Sequence, residues 1–430
     1  MARGLIIAAP RSGSGKTVLT FGLLAALRAR GLRVSAAKTG PDYLDGALLG
    51  RAAGREAINL DPWAMRPERL RALAGAAAED ADLLVVEGVM GLFDGAADGR
   101  GSTGDLAEVL GLPVVLVVDS ERQSQSVAPL VSGFAQWRAG VRIAGVILNR
   151  VGSARHETML RAALAETGIS CLGAIPREAG LSLPERHLGL VLPGEVAGFL
   201  QFTEAAGRVA ERHVDLEAVL AMAGEIAPPR AAAETLPPLG QRTAIARDAA
   251  FAFLYPHLMN GWRAAGAELS FFSPLADEAP ADDADAVFLP GGYPELHGER
   301  LAHAERFKAG LRAARDRGAL IYGECGGFMA LGETLTDKAG QTHRMASLLP
   351  VRTRIDRPRR VLGYRQLRHT GALPWPAALK GHEFHYSAAE IGGGLPPLFE
   401  ATDALGEAQA PMGGVLGRVM GSYAHVIEAA

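Results

Sequence analysis

Leu5-Ile6-Ile7-Ala8-Ala9-Pro10-Arg11-Ser12-Gly13-Ser14-Gly15-Lys16-Thr17 runs a short apolar segment directly into a glycine, lysine and threonine loop. An apolar run of this length that ends in glycine reads as a buried first strand, and the loop after it as a phosphate cradle opening a helix. Helix N-termini offer unpaired amide donors and the positive end of a dipole, so phosphate oxygens bind there. Gly13 and Gly15 allow close backbone approach, with Ser14 between them. Lys16 can reach β- and γ-phosphates, and the Thr17 hydroxyl can ligate Mg²⁺. The full pattern expects glycine at position 10, where the chain has Pro10; the core of the motif is otherwise intact.

Beyond this loop, short β-branched runs alternate with helical stretches. Strands are expected at Leu5 to Ala9, near Val34, and at Leu83 to Glu87, Val114 to Asp119, Ala144 to Asn149 and Cys171 to Ile175. Helices are expected at Thr17 to Arg30, Ser126 to Trp137, His156 to Thr167 and within Val196 to Ala223. Such alternation indicates a parallel, doubly wound α/β sheet. A proline and alanine tract, Pro228 to Ala233 and then Pro237-Pro238, has no amphipathic period and reads as a linker. The alternation restarts at Thr243 to Ala246, Glu268 to Phe272, Ala286 to Leu289 and Ala319 to Tyr322. The expected organisation is therefore a phosphate-loop domain over 1–225, a linker over 226–241 and a second α/β domain over 242–430.

At 430 residues the chain is too long for one ordinary core. Its 48% hydrophobic and 21% charged residues suit a soluble globular protein. A net charge of −3 gives no electrostatic reason to invoke nucleic acid. The two cysteines, Cys171 and Cys325, are far apart in sequence, so a reducing cytoplasm is expected and no disulfide framework is implied. The apolar N-terminal run is too short for a signal peptide or a membrane span, and no membrane partner is expected.

Carboxylates at the carboxyl ends of parallel strands sit over the ligand crevice. Leu83-Leu84-Val85-Val86-Glu87 ends on such an acid and runs into Gly88 to Gly95. Lys38-Thr39-Gly40-Pro41-Asp42-Tyr43-Leu44-Asp45 supplies two more, which alternatively cap or turn the chain. In the last third, Gly323-Glu324-Cys325-Gly326-Gly327 places a lone cysteine on a tight strand-to-helix turn. There the helix dipole is expected to lower the thiol pKa, and the Gly326 amide to donate to an oxyanion. Gly291-Gly292, after the strand ending at Leu289, offers further donors. His425 is the candidate base. Glu428 follows it by three residues rather than the two of a His-x-Glu pattern, so a Cys–His dyad is the expected arrangement. A nucleotide site and a nucleophilic cysteine on one chain suggest two half-reactions, one releasing a small nucleophile and the other using ATP to activate its acceptor. Cys171 reads as a small buried hydrophobe.

Lys38 to Asp45 and Glu87-Gly88-Val89-Met90-Gly91-Leu92-Phe93-Asp94-Gly95 resemble the cobyrinic or hydrogenobyrinic acid a,c-diamide synthase family of cobalamin biosynthesis. The resemblance extends through Asn59-Leu60-Asp61, Gly145 to Arg150 and the C-terminal domain. It implies an N-terminal fold similar to dethiobiotin synthetase and a C-terminal glutamine amidotransferase domain of the triad type. It also implies ATP, Mg²⁺, L-glutamine and a corrinoid polycarboxylate as reaction partners. By resemblance, Thr17, Asp45 and Glu87 serve Mg²⁺, Asn149 reads the adenine edge, and Asp42, Tyr43, Leu44 and Asp94 line the substrate side. Asp45-Gly46 departs from the family's expected Asp-Pro. Cys325 would attack the glutamine amide, with His425 as activating base.

Val351 to His369 is rich in arginine. Guanidinium forks pair bidentately with carboxylates, and Arg365 is the expected contact for a polycarboxylate, although a solvated strand face accounts for most of these arginines. Gly381-His382-Glu383-Phe384-His385-Tyr386 looks like a metal cluster but lacks a third ligand at suitable spacing; it reads as structural or substrate-facing. Two other readings stand beside the a,c-diamide synthase. One is cobyric acid synthase, which amidates other corrin carboxylates. The other is a partition-type ATPase switch with an inactive glutaminase module, although those switches carry a signature lysine where this chain has Arg11. A homodimer is compatible with the chain, whose sequence specifies neither the oligomeric state nor whether the ring substrate carries cobalt.

Overall fold

The computed structural model describes residues 2–177, 185–186, 189–190, 198–227 and 234–430. The chain divides into two compact units, Met1–Ala233 and Glu234–Ala430.

In the first unit, strands β1 (Arg3–Ala8), β2 (Val34–Thr39), β3 (Ile58–Leu60), β4 (Leu83–Glu87), β5 (Val114–Asp119), β6 (Ile143–Val151) and β7 (Cys171–Pro176) pair in the order β3-β2-β4-β1-β5-β6-β7. Every pairing along this path is parallel. A short β8 (Gly224–Glu225) adds an antiparallel pair at the start of β1. Helices α1 (Lys16–Ala29), α2 (Tyr43–Ala53), α3 (Pro67–Ala78), α4 (Thr103–Leu110), α5 (Val127–Gln136), α6 (Ala154–Ala165), α7 (Phe199–His213) and α8 (Leu216–Met222) complete it. Strands in a parallel sheet are covered on both faces, and β4 and β5 are accordingly apolar and buried along their whole length, each ending on one acid. β1 lies between β4 and β5, so the crevice at its carboxyl end is the natural ligand position of an open α/β sheet. Helices α1 and α7 approach closely. Phe21 meets Phe199 edge-on with centroids 5.8 Å apart, and a Cβ on Gly22 would stand 2.7 Å from the Ala206 carbonyl oxygen.

The second unit contains β9 (Arg242–Ala246), β10 (Glu268–Phe272), β11 (Ala286–Leu289), β12 (Leu320–Glu324), β13 (Thr334–Thr336), β14 (Thr342–Arg344), β15 (Val351–Arg354), β16 (Val361–Arg368), β17 (Ala378–His385), β18 (Ala388–Ile391), β19 (Glu400–Thr402), β20 (Gly414–Leu416), β21 (Val419–Ser422) and β22 (His425–Ala429). Its central sheet has the order β10-β9-β11-β12-β21-β20 and is parallel except for the last pair. Two four-stranded sheets, β14-β13-β15-β18 and β19-β16-β17-β22, occupy the rest. Helices α9 (Pro256–Ala264), α10 (Gly298–His303), α11 (Glu305–Asp316) and α12 (Gly326–Leu331) complete the unit.

Of the expected linker, residues 228–233 lie outside the described residues, as do 196–197 of the expected helical stretch. The end of the linker is not free chain: Leu236 and Leu239 are buried, and the Trp375 indole donates to the Pro237 carbonyl at 2.8 Å. The leucines dock this proline segment onto the second unit. Among the described residues, no helix is long and apolar enough to cross a membrane.

Candidate functional site

At the phosphate loop, Gly13 and Gly15 both take the left-handed conformation (φ 78° and 85°), and Gly15 caps α1. Asn149 on β6 donates from Nδ2 to the Ser14 carbonyl at 2.8 Å, and a Cβ on Gly15 would stand 2.2 Å from that nitrogen. The amide expected to read an adenine edge thus spends one donor on bracing the loop, leaving its second N–H and its Oδ1. The segment after β4 runs alongside: Leu92 N donates to the Ala9 carbonyl at 2.8 Å.

Two ammonium groups and two carboxylates converge at this end of the sheet. Lys16 Nζ donates to Glu87 Oε1 at 3.0 Å and to the Gly88 carbonyl at 2.6 Å. Thr17 Oγ1 donates to the same Glu87 oxygen at 2.5 Å. Lys38, on β2, pairs with Asp45 and lies 3.3 Å from Glu87 Oε1. Lys38 and Glu87 are buried, and buried charges persist only when paired and hydrogen-bonded. Burial pushes the Glu87 carboxyl up, but Lys16 and Lys38 outweigh it and hold the group down at about 2. Burial also lowers Lys16, an effect Glu87 only partly offsets. For Lys38, Asp45 and Glu87 outweigh burial and the pKa rises.

Glu87 Oε2 is enclosed and has no hydrogen-bond partner among the described residues. Among the described residues, no three His, Cys, Asp or Glu side chains form a metal-holding group. Mg²⁺, however, takes one or two protein carboxylates together with substrate phosphates. The hard oxygens of Thr17, Glu87 and Asp45, one of them orphaned, fit that requirement.

Four residues expected on the substrate side separate here. Leu44, expected on the substrate side, turns inward and is buried on the apolar face of α2. Tyr43 is half-buried. Asp42 is exposed and caps α2 by accepting from the Asp45 amide at 2.9 Å. Asp94 is exposed and accepts from the Gly91 amide at 2.8 Å. Sequence reading missed Lys38 as a site group and Asp119 altogether. Asp119 ends β5 as Glu87 ends β4, and its Oδ2 receives Arg11 at 2.9 Å and Arg150 at 2.7 Å.

In the second unit Cys325 follows β12 with φ 46° and ψ −105°, a strained conformation for a non-glycine residue. Its glycine frame has a steric cause. A Cβ on Gly323 would stand 2.8 Å from the Gly327 backbone, and one on Gly327 would stand 1.9 Å from the Leu289 carbonyl oxygen. The Gly291-Gly292 loop and the histidine close on the same point. A Cβ on Gly326 would lie 3.0 Å from the Gly292 nitrogen, and one on Gly291 would lie 2.3 Å from His425 Cε1.

The thiol pKa is raised, not lowered. Burial pushes it up, Glu295, Glu324 and Glu383 add to the rise, and the Gly326 amide opposes it. Burial lowers His425 well below the usual imidazole range, and His382 and His385 contribute in the same sense. His382 stacks on His425 with ring centroids 4.9 Å apart.

The carboxylate beside the His425 ring is Glu324, whose Oε2 lies 3.9 Å from Nδ1. Glu324 Oε1 accepts from the Tyr322 hydroxyl at 3.0 Å and from the Val426 amide at 3.1 Å. Glu428 is also buried and accepts from the Ala429 amide at 3.4 Å. The missed signal was an acid at the end of an apolar strand, the same pattern that marked Glu87.

Arg365, the expected contact for a polycarboxylate, is engaged within its own sheet. It is buried, donates from Nε to Glu383 Oε2 at 2.6 Å, and donates from a second nitrogen to the Tyr364 carbonyl at 2.9 Å. Glu383 Oε1 meets His385 Nε2 at 3.3 Å. The fork expected for a substrate carboxylate thus holds a carboxylate of its own sheet.

Residues 5–191 match the family model of the CobQ/CobB/MinD/ParA nucleotide binding domain, and residues 242–430 that of the CobB/CobQ-like glutamine amidotransferase domain. The hydrogenobyrinate a,c-diamide synthase of Brucella abortus biovar 1 is 55% identical over 431 residues, covering 99% of this chain and 98% of that protein. The protein of the same name from Rhizobium meliloti is 52% identical over 425 residues, covering 99% of each. That from Rhodobacter capsulatus is 52% identical over 432 residues, covering 99% of this chain and 98% of that protein. With both sites in place and the likeness running from end to end, the chain belongs to the family of the hydrogenobyrinate a,c-diamide synthases.

Proposed function

We propose that the chain amidates the a and c acetate carboxylates of hydrogenobyrinic acid, using ATP and glutamine. The observation that carries this reading is identity of 50–55% to synthases of that name over nearly the whole chain, together with the two clusters described above. That those relatives are named for hydrogenobyrinate favours the metal-free ring over its cobalt-containing counterpart.

In the first unit, the γ-phosphoryl group of ATP passes to a carboxylate oxygen of the substrate, leaving ADP and an acyl phosphate. Lys16 and the loop amides hold the phosphates, and Lys38 keeps Glu87 charged and orients Asp45, whose own carboxyl burial pushes up to about 7. Bound with ATP, Mg²⁺ would be held by Thr17, Glu87 and Asp45 and would neutralise developing phosphate charge. Ammonia then attacks the acyl carbon and expels inorganic phosphate.

In the second unit, His425 takes the Cys325 proton as the sulfur attacks the glutamine side-chain carbon. The resulting oxyanion is held by the Gly326 and Gly292 amides. Imidazolium returns the proton to the departing ammonia, and water releases glutamate from the thioester. Both partners begin neutral, so the ion pair forms during reaction. Glu324, whose carboxyl burial pushes up to about 8, stands beside the imidazolium and can ionise as that charge forms.

The test is to supply the purified protein with ATP and glutamine and either hydrogenobyrinic acid or its cobalt-containing counterpart. Two OH-to-NH₂ exchanges in the product mass are expected with the metal-free ring. Diamide formed only from the cobalt ring would overturn the substrate assignment.

A further inference from the structure

The turn Pro294–His297, which follows the Gly291-Gly292 loop, carries Glu295. This turn is fixed against the nucleophile. A Cβ on Gly326 would lie 2.8 Å from Pro294 Cδ. Tyr293 meets Phe253 edge-on at 5.1 Å, and Phe253 in turn lies 6.1 Å from the His425 ring. Within this packing Glu295 Oε2 is enclosed and has no hydrogen-bond partner among the described residues. Among the described residues no cation acts on the carboxyl, and burial pushes it up to about 7 against its own backbone amide. Its charge is felt at both the Cys325 thiol and the Tyr423 hydroxyl.

A buried carboxylate without a counter-charge is costly unless something completes it. The ligand of this site is a small amide that also carries an ammonium group. We propose that Glu295 binds the α-ammonium of the glutamine whose side-chain amide Cys325 attacks, and so selects free glutamine over amides that lack an α-amino group. A charge-assisted hydrogen bond there fixes one end of a short side chain and thereby places the amide carbon at the sulfur. This assignment rests on the glutaminase reading given above.

The test compares full-length wild type with Glu295→Gln on L-glutamine and on 4-carbamoylbutanoate, the analogue with hydrogen in place of the α-amino group. Glu295→Gln keeps the side-chain shape and should raise the KM for glutamine by about 10- to 100-fold. Hydrolysis of 4-carbamoylbutanoate should not fall, and iodoacetamide should alkylate Cys325 no more slowly than in wild type, since the lost charge only opposes the thiolate. Glu295→Asp, which keeps the charge on a shorter arm, should recover part of the glutamine preference. Equal losses on both amides, or slower alkylation, would indicate a structural role and overturn the assignment. An unchanged preference in a hydrolysing Glu295→Gln variant would overturn the assignment alone. A wild type that hydrolyses no glutamine would overturn the underlying reading as well.

Discussion

Glu324 Oε2 stands 3.9 Å from His425 Nδ1, while the other oxygen of the same carboxyl is pinned by the Tyr322 hydroxyl and the Val426 amide. The residue immediately before the nucleophile thus stands beside the base, at ion-pair rather than hydrogen-bond distance. Glu324→Gln keeps an acceptor for both pinning bonds but cannot gain or lose the proton. Glutamine hydrolysis should fall by about 10- to 100-fold in kcat, while synthesis from added ammonium salts stays near wild type. The variant should also change the pH dependence of stability. Burial pushes the Glu324 carboxyl up to about 8, so between the ordinary carboxyl range and about 8 the folded chain holds a proton that the unfolded chain has released. Stability therefore falls as pH rises through that window, and Glu295 acts in the same sense up to about 7. The Tm of Glu324→Gln should decline less steeply than that of wild type between about pH 5 and about pH 8. Identical slopes would place the proton elsewhere.

Lys16→Ala should reduce ATP-dependent amidation by about 100- to 1,000-fold, the usual loss when one fixed donor to developing charge is removed. Glutamine hydrolysis should persist, since its groups lie in the second unit. Because Lys16 also pairs with buried Glu87, the variant should melt at a lower temperature. Diamide formation at near wild-type rate would mean that this loop is not the working nucleotide site.

Glu87→Gln and Asp45→Asn preserve side-chain shape and remove charge. Each should raise the Mg²⁺ concentration needed for half-maximal synthesis by at least about tenfold. Glu87→Gln should have the larger effect, because its Oε2 is the buried oxygen without a partner, whereas Asp45 is already engaged by Lys38. Unchanged titrations in both would move the metal elsewhere.

The legible parts of this chain were those in which one residue carries the signal. Glu87 closes an apolar, β-branched strand, and Cys325 sits in a glycine frame whose steric cause is local. Pairings across strands left no such trace. Lys38 and Asp45 meet across a strand and the following helix, and Glu324 reaches His425 across two strands far apart in sequence. Helices α3 and α4 went unread despite Pro67 at an N-terminus and a Ser102–Asp105 capping box, because alanine and glycine dilute their apolar period. The sheet containing β16 and β17 was hidden because these strands carry Arg365, Glu383 and His385 inward as a buried cluster. Arg365 shows the consequence: an arginine-rich stretch reads as a surface when one of its members is core.

Arg365→Lys should therefore test stability rather than substrate binding. An ammonium cannot make both the Glu383 and the Tyr364 bonds of the guanidinium, and the loss should cost about 1–3 kcal/mol. The Tm should fall while the corrinoid KM stays unchanged. A raised corrinoid KM in a variant with wild-type Tm would restore the substrate-facing role.

Cys325→Ser should remove glutamine-dependent synthesis and leave synthesis from ammonium salts, ATP and corrinoid largely intact. Burial and the nearby carboxylates push even the thiol upward, and a serine hydroxyl is far harder to ionise, so the attack on an unactivated amide fails. The acyl phosphate in the first unit needs only free ammonia. Rising pH should favour this route, because the unprotonated amine is the nucleophile. His425→Ala should give an equally complete split, since the environment of Cys325 does not sustain a thiolate without a base to receive the proton. Residual glutaminase in His425→Ala would show that another group takes that proton. Loss of both activities in a well-folded Cys325→Ser variant would contradict two separate half-reactions and require one composite site.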